Sequence, residues 1–138
     1  MKQHRYTRKK ERGQSLVEAA LILPVLIMIM LGLLDLGRAY YSLVVLNDAA
    51  DEGASYAAIR PNDVAGIQAR SASASALLVT IETDDVSVTY APGGTVPGQP
   101  ITVTVTVEMV IYTPFVGALV SGNSLDLTGR SVHIIRSN

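Results

Sequence analysis

Hydrophobic residues follow three successive rhythms along this chain. From Leu16 to Leu34 they are almost continuous: LVEAALILPVLIMIMLGLL carries Glu18 as its only ionisable side chain. At a helical rise of about 1.5 Å per residue the run is roughly 28 Å long, close to a hydrocarbon core. It is apolar on every side rather than striped, which separates it from an amphipathic surface helix. A chain of 138 residues is too short to bury such a helix all round. The run therefore predicts a membrane span.

Between residues 37 and 59 the rhythm becomes helical. Leu36, Tyr40, Leu43, Val44, Asn47, Ala50, Ala54, Ala57 and Ala58 recur at spacings of three and four, with Asp48, Asp51, Glu52 and Ser55 largely opposite. This predicts one helix continuing out of the span and ending at Arg60-Pro61, where the residue before proline leaves helical geometry. Gly53 weakens that helix by about 1 kcal/mol relative to alanine but admits another backbone at close range. A second helix is expected from an Asn62 N-cap, with Asp63 in its first turn. Val64, Ile67, Ser71, Ala74 and Leu78 keep helical spacing. By composition alone the Ser/Ala stretch 71–76 also suits a flexible linker.

From Asp84 the period is two. Val86, Val88 and Tyr90 alternate with Ser87 and Thr89; Ile101, Val103, Val105, Val107 and Met109 alternate with Thr102, Thr104, Thr106 and Glu108. These are half-buried strands with a threonine-rich wet face. The Gly/Pro-rich residues 91–100 join them as an exposed loop of an antiparallel pair. A third strand is expected from Leu125 to Ile135, interrupted near Gly129. The fold class is α+β: a long N-terminal transmembrane helix continuing into a small domain with a second helix and a three-stranded antiparallel sheet. The apolar excursion from Thr113 to Val120 suits either a connection folded over the core or an exposed tip touching the bilayer or a partner.

Charge then orients the chain. Residues 1–13 hold Lys2, Arg5, Arg8, Lys9, Lys10 and Arg12 against Glu11; from Gln14 onward there are five arginines, no lysine and eleven acids. Basic residues beside a span stay cytoplasmic. The expected organisation is a basic cytoplasmic leader (1–13), a transmembrane helix (14–36) and an extracytoplasmic domain (37–138), single-pass in the cytoplasmic membrane. A cleaved secretory signal would have a shorter apolar region and a small-residue cleavage site. Here the run passes into Asp35-Leu36-Gly37-Arg38, so the helix should be retained. Without cysteine, the outer domain must rely on packing or on partners. Within the span, Pro24 removes one backbone donor and suits either a kink or a packing role. Glu18 gains from the helix N-terminal dipole, or finds a cationic partner such as a neighbouring N-terminus.

Three motifs carry a family resemblance. Arg12-Gly13-Gln14-Ser15-Leu16-Val17-Glu18 before an apolar helix with Pro24 resembles the processing region of type IV pilin-like proteins. In these a prepilin peptidase cuts after the glycine and a glutamate stands fifth in the mature chain. Together with Leu36-Gly37-Arg38 and Asp51-Glu52-Gly53-Ala54-Ser55-Tyr56-Ala57-Ala58, the match is to the TadE-like proteins of bacterial tight-adherence (Tad/Flp) pili. Asp51 and Ser55 stand where the family usually has arginine, and Ala19 where an aromatic often follows the glutamate. The resemblance covers residues 12–60. It implies processing at Gly13, Gln14 and Glu18, and helix packing or assembly through Glu18, Pro24, Gly37, Arg38, Glu52, Gly53, Ala54 and Ala57. The implied partners are membrane lipid, prepilin peptidase, and other pilus subunits and assembly proteins of a cell-adhesion pilus.

No catalytic constellation accompanies these motifs. His4 and His133 lack nearby nucleophiles or ligands in sequence. Glu82, Asp84 and Asp85 lack the spacing and central glycine of a calcium loop. The expectation is no enzyme, no cofactor, no metal, no nucleic acid and no small-molecule substrate. The alternative to a minor pilin, pseudopilin or assembly component is a stand-alone anchored binding module that keeps its basic tail on anionic lipid.

Overall fold

The computed structural model describes residues 11–113 and 122–137. The basic residues 1–10 and most of the apolar excursion, 114–120, lie outside the described residues. The elements are α1 (Glu11–Ala57), α2 (Val64–Ala72), a 3-10 turn (Thr83–Asp85), β1 (Val86–Tyr90), β2 (Pro100–Val110) and β3 (Ser124–Ile134). The sheet has the order β1-β2-β3, antiparallel throughout. This is the expected α+β arrangement.

Helix α1 has 47 residues, roughly 70 Å at the helical rise. It passes without a break through Pro24, which leaves the Ala20 carbonyl without its intrahelical donor. Residues 13–30 are exposed on every side. From Val45 onward one face is buried: Val45, Leu46, Ala49, Ala50, Gly53, Ala54, Ala57 and Ala58. The expected face agrees with this at Leu43, half-buried against the core, and from Ala50 onward. Leu36, Tyr40, Val44 and Asn47 are exposed, and Asp35, Ser42, Val45, Leu46 and Ala49 take their place. The sheet selects the row of small residues because it lets two backbones come close; the bulkier row faces outward. The helix ends at Ala57, three residues before Arg60, as the Ile59 N–H turns back to the Tyr56 carbonyl at 3.1 Å.

Helix α2 begins one residue later than expected. Asp63, not Asn62, is the N-cap, its Oδ1 accepting the Gly66 N–H at 3.0 Å. It also stops at Ala72 instead of running to Leu78. The Ser73 hydroxyl donates to the Arg70 carbonyl at 2.6 Å and Ser75 to the Ala72 carbonyl at 2.7 Å. Ser75 further accepts the Ile81 N–H at 2.9 Å, so the hydroxyls draw the backbone away from the helix. The Ser/Ala stretch is thus neither a full helix nor a loose linker. Ala76 and Val79 pair across a tight turn that leaves Leu77 97% exposed.

The sheet follows the period-two pattern. Ile101, Val103, Val105 and Met109 of β2 are buried against α1, with threonines on the opposite face. Pro100 belongs to the strand rather than to the loop, at its first position, where an absent donor is tolerated. β3 is not interrupted at Gly129: the ladder runs unbroken from Ser124 to Ile134, with Gly129 opposite Val105. The glycine answers a packing need. A Cβ there would fall onto the Leu46 carbonyl of α1, so only glycine lets the helix lie on the strand.

Candidate membrane and assembly surface

The expected functional residues occupy three stations along α1. At the first, Gly13, Gln14, Glu18 and Pro24 lie in the fully exposed part of the helix, without contacts to the folded domain. At 1.5 Å per residue, Gly13 stands roughly 35 Å from Gly37 along the axis, so these residues and the domain are separate along the helix.

The second station is where the helix meets the sheet. Asp35 is only 7% exposed and receives the C-terminal end of β2. Its Oδ2 accepts the Tyr112 N–H at 3.1 Å, the Thr113 N–H at 2.8 Å and the Thr113 hydroxyl at 2.6 Å. Arg38, one turn further along, lies 3.6 Å from Asp35 Oδ1 and donates to the Val110 carbonyl at 3.4 Å. Its guanidinium stands 4.6 Å from the centre of the Tyr112 ring. Arg38 therefore serves the domain's own base. Gly37 beside it has open space where a side chain would be.

At the third station the small residues meet the chain's own elements. Gly53 faces Ser71 of α2 and Val103 of β2, and a Cβ would collide with the Ser71 hydroxyl. Ala54 and Ala57 are fully buried beside it. Glu52 reaches Arg70 of α2 at 2.7 Å across an exposed surface. One residue earlier, Asp51 accepts from the Ser131 hydroxyl at 2.8 Å and lies 2.9 Å from His133 Nε2, joining α1 to β3. Among the described residues, no group of three or more His, Asp or Glu side chains converges.

Sequence reasoning missed the Asp35 bracket and the Asp51–His133 link. An acid at the C-terminal end of the apolar run was the available signal for the first. Their partners lie 78 and 82 positions away, which periodicity does not reveal.

Residues 13–55 match the family described as TadE-like protein. This stretch is TadE-like. The TadE-like segment takes in all three stations except Ala57 and stops two residues short of the end of α1. It coincides with one N-terminal helix apolar and long enough to cross a membrane. No curated protein and no solved structure matches the chain.

Two carboxylates outside the span make the domain acid-sensitive. The His133 and then the Ser131 hydrogen bonds hold Asp51 below the ordinary carboxylate range. The Tyr56 hydroxyl and the Gly66 N–H do the same for Asp63. A carboxylate depressed in the native state contributes stability above its unfolded value, about 4, and loses it as pH falls through the lowered native value. The melting temperature of the full chain in detergent should therefore fall as pH drops below about 4. The double variant Asp51→Asn, Asp63→Asn should flatten that dependence; an unchanged slope would refute the assignment. Both sites are exposed, so the effect is modest.

Proposed function

We propose that this chain is a minor pilin or pseudopilin of a tight-adherence pilus, held in the cytoplasmic membrane with its N-terminus inside and its domain outside. The supporting observation is the division of labour along α1. Its exposed first half offers every side to lipid or to other helices, while one face of its second half is used up in the chain's own core. Prepilin peptidase cuts after Gly13 and frees the amine of Gln14. Glu18, one turn into the mature helix, then meets a neighbour's new N-terminus in a medium where an unpaired carboxylate is costly. Gly37 supports the same reading. It carries a helix penalty of about 1 kcal/mol without any close intramolecular neighbour, the position expected of a residue that admits an adjacent helix.

Mass spectrometry provides the test. In cells with an active prepilin peptidase, the membrane-extracted protein should have the mass of a chain beginning at Gln14, and the same species should occur in sheared surface filaments. A chain that keeps residues 1–13 and is absent from filaments would instead indicate a stand-alone anchored module.

A further inference from the structure

We propose that the lower edge of the outer domain is itself a membrane-contact surface, resting in the phospholipid headgroup region where α1 leaves the bilayer. The proposal rests on the membrane reading of α1 and adds a second, independent contact. Asp35, Arg38, Tyr112 and Thr113 tie the end of β2 to the helix directly above the span, so the sheet's lower edge is fixed at the height of the last apolar turn. Among the described residues that edge is apolar and uncovered. Leu36, Tyr40, Val110 and Tyr112 are all more than half exposed, and they continue the lipid-facing surface of Leu33 and Leu34. Between helix and strands lies a largely apolar cleft of about 200 Å³, lined by Gly32, Leu36, Ala39, Met109, Ile111 and Leu125, with Asp35 as its one charged residue. Its floor is the end of the span itself.

The chemistry fits the interfacial zone rather than water or the hydrocarbon core. Tyrosines place an apolar ring in the lipid and a hydroxyl among headgroups, which is why they collect at this depth. The charges within the edge, Asp35 and Arg38, are paired with each other, so little unpaired charge needs desolvation. Glu108 stands two residues above Val110 on the same strand face and directly opposite Asp126. Both are exposed carboxylates, and they limit how deep the edge sinks: roughly 7 Å of strand separates them from Val110. A flat stretch of lipid, continuous with the span, covers this edge without any further protein.

The absence of native cysteine makes the test direct. Three single-cysteine variants of the full chain, Leu26→Cys, Val110→Cys and Thr104→Cys, are nitroxide-labelled in nanodiscs of 3:1 POPC and POPG. Collision rates with oxygen and with a neutral nickel chelate report depth. The oxygen-to-nickel ratio at 110 should be severalfold higher than at 104, on the same strand, and approach the value at 26. A label at 110 as nickel-accessible as that at 104, with 26 lipid-like, overturns the contact but not the span. Low access to both reagents at 110 means that protein, not lipid, covers the edge and also overturns it. A nickel-accessible label at 26 overturns the membrane reading itself.

Discussion

Replacing Gly129 with valine is expected to destabilise the folded domain by roughly 3 kcal/mol or more, the upper part of the range for an overpacked core. Strand propensity alone predicts the reverse, since glycine inside a strand costs about 0.5–1 kcal/mol against alanine. Geometry decides. The new side chain would meet the backbone of Leu46 and Asn47, not the movable end of a side chain, so α1 as a whole must lift from β3. Lifting it opens the contacts of Leu46, fully buried beside Val103 and Val105 of β2 and Leu127 of β3. It also stretches the Arg130 N–H to Asn47 hydrogen bond, already 3.3 Å. Thermal unfolding of the full chain in detergent, followed by circular dichroism, provides the measurement. Gly37→Ala is the control. With open space at that position it should gain about 0.5–1 kcal/mol of helix stability. A midpoint for Gly129→Val within a degree or two of wild type would mean that the helix does not lie on the strand.

Most of this fold was legible as rhythm. A run apolar on every side, a period near 3.6 and a period of two correspond to the exposed helix, its packed continuation and the sheet. Rhythm failed where one residue's reason lies in a distant one. Gly129 looks like a strand breaker until α1 is placed over it. At the end of α2 rhythm misled in another way. Ala74 and Leu78 keep helical spacing, yet the helix stops at Ala72 because Ser73 and Ser75 offer their hydroxyls to carbonyls three residues back. The lower face of α1 was misread because Leu36, Tyr40 and Val44 are apolar enough to suggest a core. The structure leaves them exposed, with the core taken up by the neighbouring row of α1. The candidate site divides the same way. Glu18 stood out as the one ionisable side chain of the apolar run, whereas Gly13 stood out through family resemblance alone, since nothing in its spacing distinguishes it from an ordinary helix start. The Asp35 bracket depends on tertiary pairing and became visible only once β2 had a position.

Asp35→Ala should be the most damaging single truncation at the base, costing roughly 3–5 kcal/mol, the scale for removing one partner of a buried ionic cluster. Three donors lose their acceptor together: two backbone N–H groups and the Thr113 hydroxyl, the last in a buried residue. Each unsatisfied buried donor costs about 1–3 kcal/mol. Arg38 loses its carboxylate as well and is left with the Val110 carbonyl and the Tyr112 ring. Asp35→Asn separates geometry from charge. Its carbonyl oxygen can take the Oδ2 position and keep those three bonds, but the amide then points donors toward the Arg38 guanidinium, so about half the penalty is expected to remain. Hydrogen exchange on the full chain in nanodiscs resolves the two. Protection at Tyr112 and Thr113 should vanish in Asp35→Ala, persist in part in Asp35→Asn, and stay unchanged in both at Val103, where the ladder does not depend on the bracket. Equal protection at Tyr112 in wild type and Asp35→Ala would show that the end of β2 keeps its place without the carboxylate, and at this end the contact between sheet and helix would then rest on the packing of Met109 and Ile111.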